Sequence, residues 1–328
     1  LTNDTVNDDL IRVTDTEVPA RATLRAVVTA TATRWTLGCL TSVIPMTAPG
    51  VWFGRQLIAT IMAVGGSMPA GARIVPAPGG EWVLGPGVEF GRRAGYYVHG
   101  SAYVICSAKT HRKLVARLSE ATGLPFFVVD YRLAPEHRFP TAAQDVEAGY
   151  RWLLAQGYQA SDIVIGADSA GGHLTCDMLL AHADDPAFQP AGVVLFSPLI
   201  DLTLGLAEQQ ERPHRDPAMS AGAARRMVGL YTSGQDPAHP RLRLDFAKAR
   251  ALPPILIQAG GFEMLRADAR HLDAELRKAG GRSTLEIWPG MVHVFQALPH
   301  LAPEAKAALR RAADFIAGQL SDDLQEIC

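Results

Sequence analysis

Short runs of β-branched and aromatic residues alternate with amphipathic helical stretches from Arg73 to the C-terminus, which predicts an α/β fold with a mostly parallel central sheet flanked by helices. The 328-residue length suits one large core with added segments. Before Arg73 the pattern differs: ATLRAVVTATATRW and VWFGRQLIATIMAV carry apolar residues at mixed three and four spacing and read as helices. The division expected is therefore residues 1–70 as a helical segment and 71–328 as the core.

The strands predicted are Tyr96 to Val98, Phe126 to Val129, Ile163 to Ile165, Val193 to Phe196, Ile255 to Gln258 and Leu285 to Trp288. Helices should run over Ala108 to Thr122, Ala142 to Ala155, Ser169 to His182, Met264 to Ala279 and Glu304 to Gln319. One stretch breaks the alternation. From Asp201 to about Pro253, Pro- and charge-rich loops flank a helix near Ala221 to Tyr231, as in an excursion from the sheet. No repeat or low-complexity tract interrupts the chain.

Composition excludes several classes of function. Lys+Arg 31 against Asp+Glu 33 leaves a net charge of -2, with no basic run able to neutralise successive phosphates, so no nucleic-acid partner is expected. Cys39, Cys106, Cys176 and Cys328 show neither C-x-x-C spacing nor a nearby histidine pair, so no metal and no cofactor are expected. Unpaired thiols and an acidic N-terminal run without a signal peptide's positive region predict a cytoplasmic location. Trp35 to Pro49 and Leu57 to Met68 are too short or too interrupted to span a bilayer, although either could lie transiently on a lipid surface. A homodimer is compatible with this sequence.

The chemistry centres on DIVIGADSAGGHLTCDMLL, a strand, a small-residue turn and a helix, with Ser169 at the turn. Small residues two positions either side, Ala167 and Gly171, let the chain turn sharply and present the hydroxyl. The segment AMSAG around Ser220 has the same spacing, but no strand precedes it, and Ser220 reads as a helix cap. A serine hydroxyl needs an imidazole base and a carboxylate that orients it, in the chain order serine, acid, histidine. His293 lies just after the last predicted strand, and Glu263 just after the preceding one. Asp268 and Asp201 compete for the acid's place. Main-chain donors for a tetrahedral oxyanion should come from Ala170 and from the HGSAY loop, through Gly100, Ser101 and Ala102.

At these residues the chain resembles the hormone-sensitive-lipase-like branch (bacterial family IV) of α/β-hydrolase esterases and lipases. HGSAY resembles that family's HGGG or HGGA motif, GADSAGG resembles GDSAGG, and DYRLAPEHRFPTAAQD, PPILIQAGGFEMLRADA and LEIWPGMVHVF resemble further blocks. The resemblance covers about Val98 to Phe295 and implies the α/β-hydrolase fold, hydrolysis of small-molecule or lipid esters of short to medium acyl chains, and a helical cap built from the N-terminal helices and residues 201–253. It also implies that Asp130, Arg132 and Glu136 brace the oxyanion loop and that His99 and His173 belong to the scaffold. Three departures concern the site: Ser101 and Cys106 stand where the family carries Gly, and Ala167 replaces the Gly before the nucleophile. The competing functions are a non-catalytic small-ligand-binding protein on the same fold, which His293 argues against, and a metal-dependent hydrolase, which would need an H-E-x-x-H or similar ligand set that is absent.

Overall fold

A computed structural model describes residues 18–19, 21–33, 45–64, 66–213 and 215–321. Most of the Trp35 to Pro49 stretch, together with Cys39 and Cys328, lies outside the described residues. Eight strands form a single sheet: β1 (Arg73–Ala77), β2 (Gly80–Leu84), β3 (Ala94–Val98), β4 (Phe126–Val129), β5 (Ile163–Asp168), β6 (Gly192–Phe196), β7 (Ile255–Gly260) and β8 (Ser283–Trp288). Their spatial order is β1-β2-β4-β3-β5-β6-β7-β8. From β4 to β8 every pairing is parallel, whereas β2 runs antiparallel to both β1 and β4.

The six central strands stand where they were expected. The β1–β2 hairpin was not anticipated, because its sequence (RIVPAPGGEWVL) mixes proline, glycine and charge with only brief apolar runs. Its turn at Gly79 has a φ of +73°, a conformation glycine adopts without strain.

Both faces of the central strands are covered, which explains their unbroken hydrophobicity. Successive residues alternate between two cores: Tyr96, Phe127, Ile165 and Leu195 point one way, and Tyr97, Val128, Val164 and Val194 the other. The first core is sealed by α4 (Thr141–Ala155), α5 (Ala170–Ala181) and α8 (Arg266–Lys278), through Tyr150, Leu174 and Leu272. The second is sealed by α3 (Ala108–Thr122) and α9 (Pro303–Leu320), through Leu114, Leu118 and Ile316. α3 ends on Gly123, whose φ of 70° lets its N–H close on the Ser119 carbonyl as a left-handed cap.

Outside this frame, α1 (Leu24–Thr33) and α2 (Ala48–Val64) precede the sheet. Two further helices, α6 (Gly205–Glu211) and α7 (Ala221–Thr232), occupy the excursion between β6 and β7. α6 was missed by sequence pattern: it is only seven residues long and mostly polar (GLAEQQE). Asp201, a candidate acid, instead prepares that helix, its Oδ2 accepting from Leu206 N at 3.0 Å. No helix among the described residues is long and apolar enough to cross a membrane.

Candidate active site

All the chemically distinctive loops leave the carboxyl ends of parallel strands, so the sheet gathers them along one edge. Ser169 follows β5 directly, with φ 51° and ψ −123°, a conformation disfavoured for any residue with a Cβ. Tertiary hydrogen bonds hold it there: its N–H donates to the Phe196 carbonyl at 3.0 Å, and its own carbonyl accepts from Leu199 N at 2.9 Å. Gly171 is required by close approach, since a Cβ there would lie 2.1 Å from the Val98 carbonyl oxygen. Ala167, replacing the family's glycine, is fully buried within β5 and leaves the parallel ladder to Val98 and Leu195 intact.

Glu263, just beyond β7, is 1% exposed. Its Oε1 accepts from Gly260 N at 2.6 Å, and its Oε2 lies 2.6 Å from Nδ1 of His293, which follows β8. Nδ1–H donating to Glu263 leaves Nε2 free to accept a proton. Burial tends to lower the His293 pKa, but the hydrogen bond and charge of Glu263, with the charges of Asp216 and Asp168, hold it above the usual histidine value. Ser169 and His293 line the same cavity.

The other two acid candidates are committed elsewhere. Asp268 is buried in the first turn of α8, and its Oδ1 accepts from Ile200 N and Asp201 N, both at 2.8 Å. Burial pushes its pKa up to about 7. Ser220 caps α7, accepting from Ala223 N at 3.2 Å.

In the HGSAY loop, Gly100 is needed for space, because a Cβ would sit 2.1 Å from Asp168 Oδ2. The Gly100 backbone thus passes directly against the Asp168 carboxylate. Ser101 is not among the residues at positive φ. Ala102 and Tyr103 carry the left-handed angles, 45° and 64°, and Cys106 a third at 65°. Each costs on the order of 1 kcal/mol relative to glycine. Burial pushes the Cys106 thiol up to about 12, leaving it neutral and unreactive.

Of the three residues expected to brace the oxyanion loop, Asp130 and Glu136 reach it or its flank and Arg132 does not. Asp130 accepts from Ala108 N at 2.9 Å and so fastens the start of α3. Arg132 does not reach the oxyanion loop; it forms a bidentate pair with Asp145 on an exposed surface. Glu136 acts through Arg55 of α2, whose Nε donates to the Val104 carbonyl at 2.8 Å. The residue between them, Tyr131, is the direct brace: its hydroxyl donates to the His99 carbonyl at 2.6 Å, and its ring stacks on His99 at 4.2 Å. His99 is fully buried, and burial takes its pKa down to about 3. His173 is also buried, its Nε2 3.3 Å from the Leu242 carbonyl.

Two site residues carried no sequence signal. His111 of α3 lies 3.4 Å from Asp168, whose other oxygen accepts from Tyr97 Oη at 2.9 Å, an ion pair directly beneath the elbow. Asp216, from the excursion, lines the cavity and accepts from Met264 N at 2.8 Å, next to Glu263. A carboxylate in a polar loop reads as solvated in sequence, so only packing could reveal it.

A mainly parallel sheet with a strained serine after β5 and a carboxylate–histidine pair after β7 and β8 defines an α/β hydrolase. A family profile for the alpha/beta hydrolase fold matches residues 96–297. An acetyl-hydrolase of Streptomyces hygroscopicus is 37% identical over 72% of this chain and 78% of its own. LipF, a carboxylesterase/phospholipase of Mycobacterium tuberculosis, is 35% identical over 77% of this chain and 68% of its own. Among solved structures, an esterase of the bacterial hormone-sensitive lipase family superposes with a TM-score of 0.82 at 31% identity, covering 92% of this chain and all of the other. EstE5, in a crystal soaked with p-nitrophenyl butyrate, does so with a TM-score of 0.82 at 34% identity and the same coverage. The chain belongs to the hormone-sensitive-lipase-like esterases of the α/β-hydrolase superfamily. It is a serine carboxylesterase that hydrolyses small-molecule carboxylic esters, which sets aside the binding-protein alternative.

Proposed function

We propose that ester hydrolysis proceeds through a Ser169–His293–Glu263 triad and an acyl-enzyme. The observation that carries this reading is the 2.6 Å Glu263–His293 bond beside the cavity that Ser169 enters. Ser169 Oγ attacks the ester carbonyl while His293 Nε2 takes its proton. The negative charge on the carbonyl oxygen is met by the N–H groups of Ser101, Ala102 and Ala170. Collapse expels the alcohol, protonated by His293; water then attacks the acyl-enzyme with His293 again the base. Glu263 keeps the imidazole's tautomer and stabilises its cation.

Asp216, whose own pKa burial raises to about 6, adds a second negative charge near the histidine once it ionises. Because the free enzyme needs neutral His293, its raised pKa should place the acid limb of the kcat/KM profile above the ordinary histidine value. Asp216→Asn removes a charge that favours the cation, so that limb should move to lower pH. A pH–rate profile with an unmoved limb would disconnect Asp216 from the histidine.

The N-terminal helices and residues 201–253 act, in this proposal, as a cap over the acyl group. Ile58 and Met62 of α2, with Leu204, Met219 and Val228 of the excursion, line the cavity. Each methylene they bury adds roughly 0.8 kcal/mol of binding until the pocket ends. kcat/KM over a series of aryl esters should therefore peak at about four to eight acyl carbons. Ile58→Ala with Met62→Ala should flatten the rising side of that profile; an unchanged profile would show that α2 does not form the acyl pocket. Leu24, Val28, Trp52 and Phe53, all exposed on α1 and α2, support transient contact with a lipid surface. Location in a reducing cytoplasm fits the neutral, unpaired Cys106 and Cys176.

A further inference from the structure

The side chain of Ser101 is neither idle nor exposed. It is 4% exposed, with Oγ 2.6 Å from Tyr131 Oη and accepting from Tyr103 N at 2.8 Å. The direction of these bonds follows from proton counting. Tyr131 has one hydroxyl proton and gives it to the His99 carbonyl, so Ser101 must donate to Tyr131 and accept from Tyr103. A one-way relay results, from Tyr103 N–H through Ser101 Oγ–H and Tyr131 Oη–H to the His99 carbonyl.

Both ends of this relay lie in the loop that it spans. The Ser101 carbonyl is itself held by Val104 N at 3.0 Å and Ile105 N at 2.9 Å. Between these ties sit Ala102 and Tyr103, two consecutive non-glycine residues at positive φ. Such a pair relaxes unless its surroundings hold it, and the relay grips it at Ser101 and at the Tyr103 amide.

We propose that the Ser101 hydroxyl is a positioning group for the oxyanion hole: with Tyr131 it holds the left-handed turn that aims the main-chain donors of residues 101 and 102. This inference rests on the assignment of those donors given above.

The test compares Ser101→Ala, Tyr131→Phe and the double variant. Each single variant should lower kcat roughly tenfold, less than outright loss of an oxyanion donor, with KM within about twofold. Affinity for a short alkyl boronic acid, whose serine adduct mimics the tetrahedral intermediate, should fall by a similar factor. Because the relay is one unit, the double variant should be no worse than the poorer single one. Tyr131→Phe keeps the ring on His99, so it serves as the second probe should Ser101→Ala fold poorly. Single variants within twofold of wild type in kcat and boronate affinity, or losses that multiply in the double, would overturn the proposal. Coupled losses of thermal stability with boronate affinity unchanged would also overturn it, and would locate the error in the assignment of the donors. Covalent phosphonate labelling of Ser169 in all variants separates either failure from failure of the nucleophile assignment.

Discussion

Ser169→Ala should abolish ester hydrolysis and covalent labelling by an organophosphorus reagent, lowering kcat by about 10⁴–10⁶-fold. No neighbouring group can substitute. The nearest thiol lining the cavity, Cys106, is pushed up to about 12 by burial and stays protonated near neutral pH. Ser220→Ala is the matched control, because Ser220 has the same small-residue spacing but caps α7. Losing that cap should cost about 1 kcal/mol of stability and leave labelling intact. Mass spectrometry after phosphonate treatment reads both variants, and labelling retained on Ser169→Ala would remove Ser169 from the mechanism.

Glu263→Gln should lower kcat by about 10²–10⁴-fold while the protein stays folded. The glutamine can still accept from Gly260 N, but it carries no charge to stabilise the imidazolium and can present its amide to Nδ1 instead of an acceptor. Asp268→Asn should leave kcat within a few fold. Its single oxygen can still accept from Ile200 N and Asp201 N, and at neutral pH the wild-type carboxyl, raised to about 7, is already protonated in roughly half of the molecules. Linkage adds a stability test. A folded pKa of about 7 against a reference of 3.8 means that the folded state binds the extra proton between those values. Wild-type stability therefore falls as pH rises through that window and levels off above it. Asp268→Asn, which does not titrate, should gain on wild type from pH 4 to 7 in denaturant titrations. If instead Asp268→Asn were inactive and Glu263→Gln active, the acid would be Asp268.

Both results depend on how much chemistry local sequence could express. Ser169 was legible because strand, small-residue turn and helix are contiguous, and the same steric demand that selects Gly171 writes the motif. That Glu263 and His293 would lie close together was legible because strand ends in a parallel sheet fall on one edge, and the 2.6 Å contact follows from it. Five of the expected strands, β3 to β7, were legible because burial on both faces demands nearly continuous apolar runs, and β8 at the sheet's edge from its β-branched and aromatic residues.

What sequence could not express were partners brought together from distant segments. Which of Glu263, Asp268 and Asp201 meets His293, and which are used up on backbone amides, follows from tertiary contacts alone. Asp216 reached the cavity only because the excursion folds back over the acid loop. Arg132 turned outward to Asp145, and Tyr131 took the bracing role, since alternation along an extended segment puts neighbours on opposite sides. The sequence by itself determined the principal strands and helices and the strand-turn-helix around Ser169, because those follow from local sterics and hydrophobic period. Only the tertiary structure decided the hydrogen-bond partners, the left-handed turn at Ala102 and Tyr103 and the lining of the cavity, because each depends on contacts between residues far apart in the chain.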